Sequence, residues 1–248
     1  MHNAFRTASD TELFALPGSS LCQICGTPTT GYTHCYTCEN GILASEFSHY
    51  LPDRYAFLTY AVSNDQSGRD VFQYKSNGGF ALDRLKTLLY FFVTYHSGCF
   101  RLSTGVPISH IAAVPSGRGR AGHPLETELL PVFPPELDRV ALTRVAAPRD
   151  EGDRQESIDP RINRINSDVS GRHVLILEDT WTRGYNALSL AVGLKLAGAA
   201  QVSVLTIARY LNVNHQITRE WLEKHSPLPS FDPTYCPVTR SESCPGGP

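Results

Sequence analysis

Apolar and polar positions alternate along the chain in blocks that predict an α/β fold. The clearest block lies between residues 173 and 208. It reads, in order, as a continuous apolar strand, a turn, a helix and a second apolar strand: His173–Leu177, Glu178–Tyr185, Asn186–Ala197 and Val202–Ala208. Two strands that are apolar on both faces and are joined by a helix indicate a βαβ crossover in a parallel sheet.

The remaining patterns predict further elements on either side of this unit. Upstream, the sequence predicts a hairpin of two strands, a helix, a short buried strand, a second helix and another strand: Ala56–Val62 with Val71–Lys75, Phe80–His96, Ile111–Val114, Leu125–Val132 and Val140–Val145. Residues 146–170 are polar and predict a long loop. The proline-rich tail from Ser226 is expected to be extended over the surface or disordered.

Four of the seven cysteines form two CxxC pairs within 17 residues: Cys22, Cys25, Cys35 and Cys38. This spacing is typical of a structural zinc site, in which each turn presents two thiolates to one tetrahedral ion. The alternatives are two disulfides or two redox pairs, and a reducing compartment disfavours stable disulfides. Four thiolates leave no open coordination position, so the ion would support folding rather than catalysis.

The other possible ligands are interpreted as ordinary residues. His34 is adjacent to Cys35 and is expected to be a bystander. Cys99, Cys236 and Cys244 show no mutual spacing, so we interpret them as ordinary buried or tail residues.

Composition narrows the classes of function. The net charge is −2, with 22 basic and 24 acidic residues, which argues against a surface devoted to nucleic acid or membranes. The most apolar run, Leu88 to Val93, is far shorter than the roughly 20 residues of a membrane span. The N-terminal residues lack the pattern of a secretory signal, so we expect a cytoplasmic protein without membrane contact.

Two carboxylates, Glu178 and Asp179, follow the predicted apolar strand at residues 173–177. Ligands bind at the carboxyl ends of the strands in open α/β sheets. The turn after these acids contains Gly184 and opens a helix, whose N-terminus suits an anion such as a phosphate. Together they suggest a phosphorylated sugar. A nucleoside triphosphatase lacks support because no GxxxxGK[ST] motif is present, and a receiver domain would need more residues after Arg172. A strand end with no function is the remaining alternative.

The run Glu178 to Ala187 resembles the signature of type I phosphoribosyltransferases, in which two acids precede a Thr-Thr-Gly-x-Thr loop. The preceding cysteine pairs make the chain similar to the ComF-like members, which carry an N-terminal zinc-ribbon module. The segments Ala113–Arg120, Arg161–Asn166 and Gly171–Val174 agree more loosely, and the resemblance covers roughly residues 20–210. Arg183 and Asn186 stand where the family has its second and last Thr, and both retain hydrogen-bond donors.

The resemblance implies an α/β fold of the type I phosphoribosyltransferase kind: a parallel sheet with flanking helices, preceded by a small zinc-binding module of four cysteines. It divides the chain into an N-terminal segment with the module (1–45), a phosphoribosyltransferase-like domain (46–212) and a C-terminal helix with the proline-rich tail (213–248).

The resemblance also implies roles for individual residues. Glu178 and Asp179 would be the catalytic pair that holds the ribose hydroxyls of phosphoribosyl pyrophosphate or another 5-phosphoribosyl ligand. The turn after the Ile111–Val114 strand would contact pyrophosphate with Mg²⁺, and the loop after the acids would enclose the 5′-phosphate. The implied substrate-binding residues are Ser116, Gly117, Arg118, Gly119, Thr180, Trp181, Thr182, Arg183, Gly184, Tyr185 and Asn186. A lid with Arg149, Arg154, Arg161 and Arg164 would close over the pyrophosphate, unless these arginines belong to a solvated loop.

Two functions follow from this interpretation. The first is transfer of ribose 5-phosphate to an unidentified nitrogenous acceptor with release of pyrophosphate. The second is a non-catalytic ComF-like adaptor that contacts single-stranded nucleic acid or a protein. The net charge, and the lack of Lys or Arg between Cys22 and Cys38, disfavour nucleic acid. Nothing in the sequence specifies the acceptor or the oligomeric state.

Overall fold

A mainly parallel β-sheet forms the centre of the protein. The computed structural model describes residues 6–7, 21–119, 122–146, 155–225 and 231–239. The sheet strands are β1 (Arg6–Thr7), β2 (Arg54–Val62), β3 (His110–Ala113), β4 (Asp138–Arg139), β7 (His173–Trp181) and β8 (Gln201–Leu211). Their order is β1-β2-β8-β7-β3-β4, with β1 antiparallel at one edge and the other five parallel. A separate antiparallel pair consists of β5 (Leu142–Arg144) and β6 (Asn163–Ile165).

Helices cover both faces of this sheet. They are α1 (Gln66–Asn77), α2 (Gly79–His96), α3 (Cys99–Thr104), α4 (Tyr185–Leu196) and α5 (Gln216–Lys224). Single helical turns lie at Cys38–Leu43, Ser48–Tyr50, Leu125–Leu129, Leu130–Val132 and Pro160–Ile162. None of the helices within the described residues is both long enough and apolar enough to cross a membrane.

The apolar character of β7 follows from burial on both faces. Val174 and Ile176 pack into the core that contains α4 and the cysteine segment, residues 21–42. Leu175 and Leu177 point the other way, into the core formed with α1, α2 and α3. A strand covered by helices on both sides has no solvent face, so it reads as a continuous apolar run. The predicted βαβ crossover and α/β architecture are confirmed.

The strand β7 extends further than the sequence predicts. Residues 178–181 were expected in a turn, but pairing with β8 continues through Glu178, Thr180 and Trp181. The turn therefore contains only residues 182–184, and the two acids are held by strand geometry.

The predicted hairpin is wrong in its second half. Val71–Lys75 lies within α1 and not in a strand. Ser67, Asp70, Val71 and Tyr74 are buried at the three- and four-residue spacing of a helix. The aromatic and β-branched residues of this segment suggested a strand, but the burial pattern has a helical period.

The region after residue 133 also differs from its prediction. Only Leu142–Arg144 of the expected strand Val140–Val145 form a strand, β5, which pairs with β6 outside the central sheet. The expected loop at 146–170 contains β6 and the turn Pro160–Ile162. Arg149 and Arg154 of the predicted lid lie outside the described residues, as does most of the predicted C-terminal tail.

Candidate functional site

The two predicted acids lie at the end of β7, and both are buried. Their side chains stand in different surroundings. Asp179 forms an ion pair with Lys75, whose Nζ lies 2.7 Å from Oδ2. The hydroxyl of Tyr74 donates a hydrogen bond to the same carboxylate. Both partners come from α1, the helix that the sequence pattern suggested to be a strand.

These surroundings separate the ionisation of the two acids. Burial opposes ionisation of Asp179, but the charge and hydrogen bond of Lys75, with the Tyr74 hydroxyl, outweigh it and lower its pKa to about 2. Burial raises the pKa of Glu178 well above its ordinary value, and the neighbouring charge of Asp179 adds to the effect. These opposite shifts make Asp179 the more acidic member of the pair, so we expect the pair to carry a single charge.

The predicted pyrophosphate turn meets these acids because β3 and β7 are adjacent parallel strands. Their carboxyl ends lie at the same edge of the sheet, and the turn at 114–119 follows β3. The Ser116 hydroxyl accepts a hydrogen bond from the Arg118 backbone N–H at 3.3 Å, and the Gly119 N–H donates to the Ser116 carbonyl at 3.2 Å. Arg118 is exposed at the tip.

A cavity of about 340 Å³ joins these groups. Eight of the predicted site residues line it: Ser116, Gly117, Arg118, Glu178, Asp179, Thr180, Thr182 and Asn186. Residues from α1 and from the segment before Leu125 complete the wall, among them Lys75 and His123. The cavity is polar on the side of the acids, and its volume suits a small ligand.

One polar atom in this cavity is without a partner. The Thr180 hydroxyl is buried and has no hydrogen-bond partner in the described part of the chain. Asn186, in the first turn of α4, lines the same cavity. Backbone N–H groups and the dipole of a helix start favour an anion there. A hydroxyl donor and a helix N-terminus on one cavity form a surface that fits a phosphate.

The Trp181 side chain packs against Gly184, in the turn at residues 182–184, and does not line this cavity. It is 1% exposed and contacts Tyr55 and Phe57 edge-on, with ring centroids 5.8 and 5.5 Å away. Gly184 has φ of +83°, and a Cβ there would lie 2.1 Å from the indole ring. The tryptophan therefore requires glycine at 184, and it packs as a core residue outside this cavity.

Tyr185 and Arg183 do not line this cavity either. Tyr185 is buried, and its hydroxyl lies so close to Gly41 that a Cβ at 41 would approach it to 2.3 Å. It thus joins α4 to the cysteine segment. Arg183 is exposed and lies 4.0 Å from Glu156.

The two described arginines of the predicted lid, Arg161 and Arg164, do not line the cavity either. Arg161 is exposed and pairs with Asp159 at 2.8 Å. Arg164 is exposed on β6 and does not line the cavity.

The four paired cysteines converge as predicted. The Sγ atoms of Cys22, Cys25, Cys35 and Cys38 all lie within 4.8 Å of one another, and such a cluster can hold a metal ion such as zinc. His34 instead lies 2.9 Å from Glu39. Hydrogen bonds from the neighbouring thiols lower the pKa of Cys22, and the bond from Cys25 has the largest effect. The hydrogen bond with Cys22 raises the pKa of Cys38. Four thiolates at these distances would repel one another, and a bound cation would balance their charge.

A buried arginine connects this cluster to the sheet. Arg209 of β8 donates from Nε to the Cys25 carbonyl at 2.7 Å and from a terminal nitrogen to the Trp181 carbonyl at 2.8 Å. Tyr60 of β2 donates to the Gly26 carbonyl at 3.1 Å. The cysteine turns are thus bonded to the strand that carries the acids.

A second cavity, of about 540 Å³, lies between the cysteine turns, the turn after β7 and α5. It shares Thr182 with the first cavity and is also bordered by Tyr36, Arg183 and His215. Tyr36 is 83% exposed, so this cavity is flanked by an accessible aromatic ring.

Sequence reasoning missed three residues of the site: Tyr74, Lys75 and His123. The two on α1 were assigned to a strand, although the helical spacing of Val71 and Tyr74 carried the signal. His123 lies after the turn at 114–119, in contact with Tyr74 at a ring distance of 6.4 Å. No spacing motif marks it.

Comparison with known proteins gives a partial likeness in fold. The sequence matches no protein-family model and no curated protein. The structure is similar to a hypoxanthine-guanine-xanthine phosphoribosyltransferase, with 16% identity and a TM-score of 0.31, over 57% of this chain and 65% of that one. It is also similar to a hypoxanthine phosphoribosyltransferase from Staphylococcus aureus, with 13% identity and a TM-score of 0.29, over 57% and 64%. The matched region spans less than two thirds of either of these chains.

Proposed function

We propose that this protein binds phosphoribosyl pyrophosphate and transfers its ribose 5-phosphate to a nitrogenous acceptor. The observation that carries the proposal is the 340 Å³ cavity, where the acidic pair, the turn at 114–119 and the start of α4 meet. A sugar that carries phosphates at two positions needs partners at three places. Groups that accept hydrogen bonds from the sugar hydroxyls are needed in the middle, and anion-binding backbone is needed on both sides.

In this proposal the acidic pair holds the ribose hydroxyls. The ionised Asp179 accepts hydrogen bonds from both the substrate and Lys75, and the protonated Glu178 can both donate and accept. The 5′-phosphate binds at the start of α4, near the Thr180 and Thr182 hydroxyls. The buried setting keeps these bonds strong, because water does not compete for them.

The pyrophosphate group binds the turn of Ser116, Gly117 and Arg118. The bond from C1′ to the pyrophosphate oxygen breaks, and its electron pair leaves with pyrophosphate. A bond forms between C1′ and the acceptor nitrogen, whose proton is released to solvent. The exposed Arg118 neutralises charge that develops on the leaving group. Mg²⁺, bound mainly by the oxygens of the substrate, supplies further neutralisation.

Calorimetric titration with phosphoribosyl pyrophosphate in the presence of Mg²⁺ tests the proposal. We expect binding to the wild-type protein and a loss of roughly 100-fold in affinity in the double variant Glu178→Gln/Asp179→Asn, because two buried hydrogen-bonding acids are altered. The matched control is Asp83→Asn/Glu136→Gln, which makes the same two replacements at exposed positions. Equal affinity in all three proteins would refute the assignment.

The alternative is a non-catalytic protein that contacts single-stranded nucleic acid through the cysteine segment. The observation in its favour is the second cavity, where the exposed ring of Tyr36 lies near Arg183. Aromatic rings and guanidinium groups are the usual partners of unpaired bases. In that case, retention on single-stranded DNA would fall steeply with salt and would depend on Tyr36 but not on Glu178.

A further inference from the structure

The structure brings together three residues that no spacing motif connects. His96 ends α2, Cys99 begins α3, and Cys236 belongs to the segment 231–239. A ring nitrogen of His96 and the two Sγ atoms all lie within 4.8 Å of one another. The residues are 3%, 0% and 0% exposed. Cys99 and Cys236 are buried, as expected, and although they show no mutual spacing in sequence, the fold brings their sulfur atoms together.

Backbone groups orient two members of this cluster. His96 Nε2 lies 2.9 Å from the Pro233 carbonyl oxygen. A carbonyl only accepts hydrogen bonds, so Nε2 carries the proton and Nδ1 of the neutral ring carries the lone pair. A histidine that ligates a metal usually donates its other N–H in this way. The Thr239 N–H donates to Cys236 Sγ at 3.4 Å, which favours a thiolate.

The chemistry of the three side chains limits which metal ion the cluster could bind. Two thiol sulfurs and one imidazole nitrogen suit a thiophilic ion, and zinc accepts this set in tetrahedral geometry. The cluster lies in the core on the α1–α2 side of the sheet, whereas the four paired cysteines lie in the core on the other side. One ion therefore cannot serve both clusters.

We propose that His96, Cys99 and Cys236 form a second zinc site, with a small molecule such as water as the fourth ligand. The ion fastens the segment 231–239 to the end of α2, across 137 residues of sequence between His96 and Pro233. The same segment packs Phe231 on Phe91, with ring centroids 6.0 Å apart, and buries Cys236 and Val238.

The test is the zinc content of the full-length protein, purified under reducing conditions with zinc and measured by mass spectrometry of the metal. We expect two zinc ions per chain in the wild type and one in Cys236→Ser. Cobalt substitution gives a second readout that needs no variant. The wild-type absorption should contain the bands of a four-thiolate site and those of a site with fewer thiolates.

Two variants control this measurement. Cys244→Ser removes the seventh cysteine, which lies outside the described residues, and should keep two ions. Cys38→Ser should also lose one ion, but the cobalt bands that remain should be those of the site with fewer thiolates. A zinc content of one ion per chain in both the wild type and Cys236→Ser would overturn the proposal. A disulfide between Cys99 and Cys236 in the wild-type protein, found by peptide mapping, would overturn it as well.

Discussion

Glu178 and Asp179 are neighbours in sequence, yet the side chains of α1 give the two carboxyl groups different surroundings. Lys75 and Tyr74 both contact Asp179, so the buried negative charge is balanced on one acid only. Glu178 keeps its proton because burial and the adjacent charge both oppose ionisation. A buried acid of this kind lowers stability at neutral pH, which is a cost that binding sites often carry.

Replacement of Glu178 by Gln should therefore stabilise the protein, and more so at higher pH. Above its ordinary pKa of 4.5, the unfolded chain loses this proton while the folded protein keeps it. The wild type then loses up to about 1.4 kcal/mol of unfolding free energy per pH unit, until the folded pKa is reached. Gln retains the shape of the neutral acid and has no proton to lose. Urea unfolding of both proteins from pH 5 to 8 measures the difference, and parallel curves would contradict the prediction.

Asp179 has the opposite pH dependence. Its folded pKa of about 2 lies below the ordinary 3.8, so its contribution is present above about pH 4 and is lost as the pH falls through 2. Lys75→Met should raise the pKa of Asp179 and reduce this contribution, by roughly 2 kcal/mol at neutral pH. The same urea experiment between pH 3 and 7 tests it, with Lys224→Met on α5 as the control for loss of a lysine. Equal stability of the two variants would show that the ion pair contributes nothing.

Gly184→Ala should be the most damaging small substitution in the turn after β7. The residue combines a left-handed φ of +83° with a Cβ position 2.1 Å from the Trp181 ring. We expect a loss of at least roughly 3 kcal/mol, from backbone strain together with displacement of the indole. Gly171→Ala is the matched control, because its φ is +69° but nothing lies within 4 Å. It should cost only about 1–2 kcal/mol in denaturant unfolding.

At the level of elements, α1 is positioned by an ion pair with α2. Asp70 is fully buried, and Arg84 Nε donates to it at 2.7 Å. Gln66, one turn earlier, donates to the same carboxylate at 2.7 Å. These bonds fix the helix that brings Lys75 to the acidic pair.

Arg84→Met should therefore destabilise the protein by roughly 2 kcal/mol, because it leaves a buried carboxylate without its cation. The partial exposure of the guanidinium keeps the value below that of a fully buried pair. Adding Asp70→Asn should recover most of the loss. Lys86→Met, also on α2, breaks an exposed pair with Glu128 of the turn Leu125–Leu129 and should cost less than about 1 kcal/mol. Thermal and urea unfolding of the four proteins measure these values.

The sequence predicted elements well where one periodicity dominated. The apolar run of β7 and the spacing of apolar residues in α2 led to correct elements, because burial alone decides such patterns. It failed at α1, where Val71 and Tyr74 favour a strand locally, although the polar Ser67 and Asp70 share their buried face. Asp70 is a polar group that is buried because it binds Arg84, which lies on another helix. Burial of this kind leaves no periodic signal in the sequence. The site residues on α1 were therefore missed, although Val71 and Tyr74 are three residues apart, at helical spacing.

The candidate site was partly predictable from its motif. The acids and the turn at 114–119 come from strands whose adjacency follows from a parallel sheet. The packing partners of Trp181 and Tyr185 could not be inferred, since each side chain contacts a segment that is remote in sequence. Tyr55 and Phe57 hold the indole, and Gly41 meets the tyrosine hydroxyl.

At the scale of the whole molecule, the cysteine cluster shares a core with the sheet. Leu21, Cys22 and Ile42 are buried in the same cluster as Trp181 and Tyr185. Arg209 adds direct hydrogen bonds to Cys25 and Trp181. We therefore expect a change in the cysteine turns to reach the turn after β7 through packed side chains and buried polar contacts.

Zinc removal should consequently weaken both stability and ligand binding. We expect a strong chelator to lower the melting temperature by at least roughly 5 °C and to reduce affinity for phosphoribosyl pyrophosphate. Cys22→Ser should reproduce the effect without chelator, and restoring zinc should reverse it in the wild type only. Unchanged affinity after complete removal of the metal would mean that the cysteine turns do not support the site.

The packing of Trp181 beneath Gly184 has a consequence for how relatives of this protein could be recognised. The turn takes its shape from buried groups behind it, so replacements at 182, 183 and 186 should leave its backbone unchanged. A sequence pattern for this turn would therefore place a tryptophan three residues before a glycine, a tyrosine next to that glycine and a distant counterpart of Gly41.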